Sequence, residues 1–345
     1  MDVLAGLLQG PKARGAFVLK SVFRPPWSLR VEDRAPVSLV TMVRGDAWVL
    51  PDRATPVLLK PGDLAVLRGP DPYTVTDDQG TDVRVIVGPD QRCTTVDGID
   101  LTDSMAQGVR TWGEPDAPDA AVMLSGTYQA PGAVGRRLLD ALPALLVRTA
   151  AGTDDPLIPL LAQEIAREEP GQEVVLDRLL DLLFVGLLRD WLRQPEHGVP
   201  AWYQAQSDPT VGPALRLLHD DPARPWTVAS LAREVGASRA ALARRFSAVV
   251  GEPPMAYLAQ WRLTLAADLV CRPDTTLTEV ARQVGYGSAF ALSSAFKRVR
   301  GVSPQEYRAN GGEPVPAARP ASAGTVVLGP PSARPSPVYP STVRT

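Results

Sequence analysis

Histidine and cysteine are scarce in this chain. Its 345 residues include two of each: His197 and His219, Cys93 and Cys271. With no histidine before residue 197, the N-terminal half lacks the imidazole donors that a catalytic transition metal prefers. Two cysteines so far apart exclude a disulfide framework and point to a reducing compartment. No apolar run approaches the roughly 18 residues of a membrane span, which argues against a membrane partner. The first ten residues lack the basic start and apolar core of a secretory leader, so a cytoplasmic location is expected. Net charge is also small, at −2.

That small net charge hides an asymmetry. Residues 213–310 carry 13 Lys and Arg against 8 Asp and Glu, leaving 23 against 30 elsewhere. A basic C-terminal part on an acidic remainder suits a polyanion partner. The hydrophobic share of 45% and charged share of 21% are ordinary for a globular protein, and the length suffices for two domains.

Along the first 128 residues, short apolar runs of period near two alternate with Gly, Pro and Asp. Strands are expected at 17–23, 28–31, 37–43, 46–50, 57–59, 64–67, 73–76, 83–87 and 121–127. Such spacing predicts a sandwich or small barrel. From Gly135 the period becomes helical. A short helix is read from Arg136 toward Leu146, ended or kinked by Pro143. Asp155-Pro156 opens another, with Leu157, Leu160, Leu161 and Ile165 on one face. A longer helix spans about 173–193, with Leu176, Leu180, Leu183, Leu187 and Trp191 in its stripe. This pair packs on the barrel or forms a homodimer interface. The domains are thus 1–150 for the barrel, 151–194 for the helical pair and 195–209 for a linker. An all-α domain at 210–310 and a Pro-rich tail at 311–345, expected to be disordered, follow.

The all-α domain contains one pattern twice. Leu231-Ala232, Gly236, Ser238, Leu242, Phe246, Gly251, Pro254 and Tyr257 recur as Val280-Ala281, Gly285, Ser288, Leu292, Phe296, Gly301, Pro304 and Tyr307. From Ser238 and Ser288 onward the offset is constant at 50. Each copy reads as a short helix, a left-handed glycine, a capping serine and a second helix. That is a helix-turn-helix, whose second helix can enter a major groove about 12 Å wide.

Residues 213–308 resemble the DNA-binding domain of the AraC/XylS family of bacterial transcription regulators. The resemblance rests on the repeated residues above, on Trp261-Arg262-Leu263, and on Gly285-Tyr286, Phe296-Lys297 and Tyr307-Arg308. Gly45, the turn Leu59-Lys60-Pro61-Gly62-Asp63-Leu64 and Pro70-Asp71-Pro72-Tyr73 resemble the cupin fold. The implied architecture is α+β: an N-terminal cupin-like β-barrel and helical pair, then a C-terminal tandem helix-turn-helix. Where metal-binding cupins place histidine, this chain has Asp71-Pro72-Tyr73, and no metal, cofactor or catalytic residue is assigned.

The resemblance implies that the first recognition helix reads bases through Ala240, Ala243 and Arg244. Only Arg244 can make a bidentate contact to guanine. Ser238, Arg239 and Arg245 flank it. On the second helix the candidates are Ser288, Ala289, Phe290, Ser293, Ser294, Lys297 and Arg298. The family usually has Arg where Ser294 stands, so this half is expected to grip phosphates and the Arg244 half to carry specificity. Cys93 is a candidate redox residue, its thiolate favoured by neighbouring Arg92. The reading is a transcription regulator binding double-stranded promoter DNA, controlled by an unknown small-molecule effector or redox signal. A homodimer and RNA polymerase are its candidate partners. A cupin-type enzyme tethered to DNA and a constitutive DNA-binding protein are the alternatives.

Overall fold

The computed structural model describes residues 17–128, 132–150, 155–167, 169–312 and 324–329. Its N-terminal part forms β1 (Phe17–Phe23), β2 (Ser28–Val31), β3 (Val37–Arg44), β4 (Ala47–Pro51) and β5 (Val57–Leu59). It continues through β6 (Leu64–Arg68), β7 (Tyr73–Thr76), β8 (Val85–Val87), β9 (Cys93–Thr95), β10 (Thr111–Gly113) and β11 (Ala121–Tyr128). Then come α1 (Ala133–Leu139), β12 (Leu145–Arg148), α2 (Leu157–Glu164) and α3 (Gln172–Leu192). The nine expected strands are all present. The short β9, β10 and β12 were not expected: Cys93–Thr95 and Thr111–Gly113 hold too few apolar residues to alternate, and β12 lies in a run read as helical.

Two sheets face each other. One runs β10-β1-β11-β3-β6-β12 and the other β5-β4-β7-β2-β8-β9. Val40 and Met42 of β3 point into the core between the sheets, where they meet Val49 and Val75. Val37 and Leu39, on the opposite face, join Leu64, Val66 and Leu124 beneath Leu176, Leu180 and Leu187 of α3. This sheet is therefore covered on both faces, which explains the six consecutive buried residues at the start of β3. The α3 stripe is buried on its own sheet rather than kept for a partner. Of the expected α2 face, Leu161 and Ile165 are buried, but Leu160 is exposed.

The expected helix from Arg136 toward Leu146 is corrected. It begins earlier, at Ala133, and ends at Leu139, and the Leu145–Arg148 run beyond Pro143 is a strand. Leu145 and Val147 face the inner core while Leu146 faces the helices, so period-two burial overrides leucine's helical preference.

The C-terminal part begins with α4 (Ala201–Gln204) and α5 (Val211–Asp220). The paired units follow: α6 (Val228–Glu234), α7 (Arg239–Val250), the connecting α8 (Pro254–Val270), α9 (Leu277–Gln283), α10 (Ala289–Arg300) and α11 (Pro304–Ala309). The expected linker 195–209 is itself folded into short helical turns, with Val199 and Ala205 buried.

The tail expectation is also corrected at four residues. Thr325–Leu328 forms β13, which extends the first sheet by pairing parallel to β12. The Leu145 amide donates to Gly324 O at 3.3 Å, and the Thr149 amide to Leu328 O at 3.2 Å. Leu328 is fully buried with the α3 cluster, so a β-branched run inside a Pro-rich segment found an open sheet edge. Residues 313–323 and 330–345 lie outside the described residues, as do the first sixteen. Leu328→Glu is expected to detach β13 and strip hydrogen-exchange protection from the Leu145 and Thr149 amides. Retained protection would refute the docking.

Candidate nucleic-acid interface

Each half of the C-terminal domain is built by local signals. Thr227 and Thr276 cap α6 and α9, accepting from the Ser230 and Glu279 amides. Gly236 and Gly285 then take φ of 68° and 80°, the left-handed turn that a side chain would strain. Ser238 Oγ accepts from the Ala241 amide at 3.2 Å, and Ser288 Oγ from the Ala291 amide at 3.1 Å. These serine hydroxyls thus start the recognition helices α7 and α10.

The two halves repeat in three dimensions. Phe246 meets Tyr257 edge-on at 5.8 Å, and Phe296 meets Tyr307 at 5.4 Å, both at 71°. All four rings are buried, so the tyrosines pack within the domain. Arg262 and Arg308 are also structural: Arg262 Nε donates to Pro222 O at 2.7 Å and Arg308 Nε to Val270 O at 2.6 Å.

Helix α8 belongs to three cores at once. Tyr257 and Leu258 join the first half, Leu263, Ala266, Ala267 and Val270 the second, and Trp261 the core beneath α3. Its Asp268 carboxylate reaches the N-terminal domain and caps α1. It accepts from the Ala133 amide and, at 3.1 Å, from the Val134 amide. A Cβ on Gly132 would lie 2.5 Å from that carboxylate, so only glycine allows the approach. From α1, Arg136 donates to Gly312 O at 2.6 Å and to Tyr307 Oη at 3.3 Å. Arg137 lies 4.9 Å over the Tyr257 ring. No local pattern signals this cluster, because each of its contacts joins α1 to a residue 120 or more positions further along the chain.

His219 stands beside this contact. Its Nε2 is 2.7 Å from Tyr257 Oη, and its ring stacks on Trp261 at 4.3 Å. Burial, reinforced by Arg137, pushes its pKa down from 6.5 to about 4. The unfolded chain therefore binds the proton more readily between those values, and stability falls as pH drops from 6.5 toward 4. The loss is expected to be on the order of 3 kcal/mol. His219→Gln should flatten the pH profile of thermal unfolding across that window, and an unchanged slope would exclude His219 as its source.

On α7, Arg239, Ala240 and Arg244 are exposed and Ala243 is half-buried. Arg239 and Arg244 form no ion pair with any described residue. Arg245 differs: its Nε donates to Asp208 at 2.7 Å. Asp208 also accepts from the Thr210 and Val211 amides at 2.9 Å, opening α5. These backbone bonds first, and Arg245 after them, hold its carboxyl below the ordinary range. Sequence reasoning placed Arg245 among free basic groups and missed Asp208. On α10, Phe290, Ser294, Lys297 and Arg298 are exposed, while Ala289 and Ser293 are half-buried. The exposed basic groups of α10 gather in its last turn, whereas Arg239 and Arg244 occupy the first half of α7.

The expected Cys93 environment is not present. Burial first, then Asp100, pushes its thiol up to about 11. Arg92, 3.7 Å from Asp90 and 3.8 Å from Asp100, is engaged by those carboxylates. Cys93 instead lines a narrow cavity between the two sheets that opens to solvent.

Two helix-turn-helix units sharing a connecting helix, docked on a β-sandwich with an internal cavity, define a DNA-binding regulator with an attached second domain. The family description "Cupin" matches residues 2–193, and "Helix-turn-helix domain" matches residues 231–310. An AraC-like transcription regulator of Streptomyces lividans is 32% identical over 313 residues, covering 89% of this chain and 98% of the relative. One from Streptomyces antibioticus is 31% identical over 315 residues, with the same coverage. The solved DNA-binding domain of AdpA in complex with a target DNA is 32% identical. It covers 30% of this chain and 93% of that one, with a TM-score of 0.29. The chain belongs to the AraC family of DNA-binding transcription regulators.

Proposed function

We propose that this regulator binds promoter DNA under the control of a small molecule held between the sandwich sheets, without catalysing a reaction. The observation that carries the reading is the connection from cavity to α8. Met123, Ser125 and Thr127 of β11 line the cavity, and β11 leads after Tyr128 toward α1, whose first amides are capped by Asp268. A ligand that shifts β11 biases the grip of α1 on the helix shared by both reading units, and so shifts the populations that fit DNA. The buried, high-pKa Cys93 thiol supports a ligand over an oxidant as the signal.

In this reading Arg244 reads guanine, the Phe290 ring, 81% exposed, contacts a thymine methyl, and Lys297 and Arg298 bind phosphate. The protein works as a homodimer at its promoters, with RNA polymerase as the next partner. Exposed Val175 and Leu182 on α3 support a self-contact, since α3 already buries its other face.

Genome-wide occupancy across growth conditions tests the proposal, comparing wild type with a cavity-filling Ser125→Phe variant. Wild-type occupancy should change with condition while the variant stays in one state, and identical behaviour of the two would sink the idea. Asp268→Ala is expected to keep DNA binding within about threefold yet lose the condition-dependent change. Cys93→Ser should respond to mild oxidant as wild type does.

A further inference from the structure

The cavity between the sheets is chemically lopsided. Leu29, Val40, Val75, Trp112 and Met123 give it hydrocarbon walls. Ser21 and Ser125 line it along the first sheet, and a further polar group, Thr127, Tyr73 and Asp33, lies at one end. The ladder sets Thr127 of β11 opposite Ser38 of β3, and the Tyr73 hydroxyl lies against the Ser38 side chain from the facing sheet. Tyr73 is in turn the register partner of Val31, and Asp33 follows two residues later. Thr127, Tyr73 and Asp33 therefore mark the same end of the sandwich.

Two features of that end point to a ligand head group. Thr127 is 8% exposed, and its hydroxyl is buried without a hydrogen-bond partner among the described residues. A buried hydroxyl in that state is unfavourable unless something outside the chain pairs with it. Asp33 supplies the second feature. Its Oδ2 accepts from Gln91 Nε2 at 3.2 Å and its Oδ1 from the Ala35 amide at 3.0 Å, which leaves acceptor capacity on both oxygens. Among the described residues lining the cavity, Asp33 carries the one formal charge, and no Lys, Arg or His joins it.

We propose that the cavity takes a small amphiphile whose head is uncharged or cationic and donates a hydrogen bond, held between Asp33 and Thr127. Its hydrocarbon part lies against Val40, Val75 and Met123. A carboxylate of equal length is rejected, because its head would face the Asp33 carboxylate with no cation to offset the repulsion. This assignment rests on the effector reading above and adds the chemical class of the ligand.

The full chain, labelled at its methionine methyl groups, can be titrated at pH 7 with n-octanol, n-octylamine and octanoate. The Met123 methyl resonance reports occupancy from inside the cavity. Octanol and octylamine should each shift it with a Kd at least tenfold below that of octanoate. Thr127→Val should weaken octanol about fivefold. Asp33→Asn, which keeps a side chain able to bond Gln91, should narrow the gap between octanol and octanoate to threefold or less. Octanoate binding as tightly as octanol would overturn the ligand class and leave the effector cavity standing. An unchanged gap in Asp33→Asn would overturn Asp33 as the discriminating group. No Met123 response to any probe would overturn both the class and the effector reading.

Discussion

Arg244→Ala is expected to weaken binding to a cognate guanine-containing site by about 5- to 150-fold, the loss of a bidentate contact of about 1–3 kcal/mol. The side chain is exposed on α7, forms no ion pair with any described residue, and stands on a helix whose start is set by the Ser238 cap. Binding-site selection with the variant should blur the base preference of one half-site and leave the other sharp. Arg245→Ala provides the contrast. Its guanidinium is held by Asp208, so its removal should alter stability more than base preference. Lys297→Ala should lower affinity evenly across sequences and flatten its salt dependence, the signature of a phosphate contact. If Arg244→Ala and Lys297→Ala behave alike, the assignment of specificity to the first half is wrong.

Phe246→Ala and Phe296→Ala should each destabilise the C-terminal domain by about 3–5 kcal/mol, the usual cost of emptying a fully buried aromatic site. Each ring is fully buried, and the two lie in separate clusters around opposite ends of α8. Their effects should therefore be independent, which the milder Phe→Leu pair can test. The double variant should match the sum of the singles within about 0.5 kcal/mol in chemical denaturation. A larger coupling would mean that α8 transmits packing changes between the halves.

The C-terminal domain was legible because its instructions are local. A capping serine, a left-handed glycine and apolar residues at helical spacing act within a dozen residues, so both copies could be read in register. The strands of the sandwich were legible where apolar residues stood between Gly, Pro or Asp turn signals, even in the three-residue Val57–Leu59. The Leu145–Arg148 strand was not, because Leu-Leu-Val after Pro143 fits a helix end as well as a strand. The burial of the α3 stripe on the first sheet, rather than in a dimer, also required the tertiary structure. A hydrophobic stripe specifies that it is covered but not by what.

By itself the sequence determined the two reading units, their family and the inequality between Arg244 and Ser294. Those properties reside in residue identity and short-range spacing. The tertiary structure decided which charges are free and how the two domains meet. Arg245 is taken by Asp208, Asp268 caps a helix 135 residues earlier in the chain, and Thr325–Leu328 docks beside Leu145–Arg148. Each is a pairing of groups far apart along the chain, selected by an unpaired helix end, a buried carboxylate or an open sheet edge. Local patterning cannot encode such a choice, because the partner is set by where the folded surfaces come together.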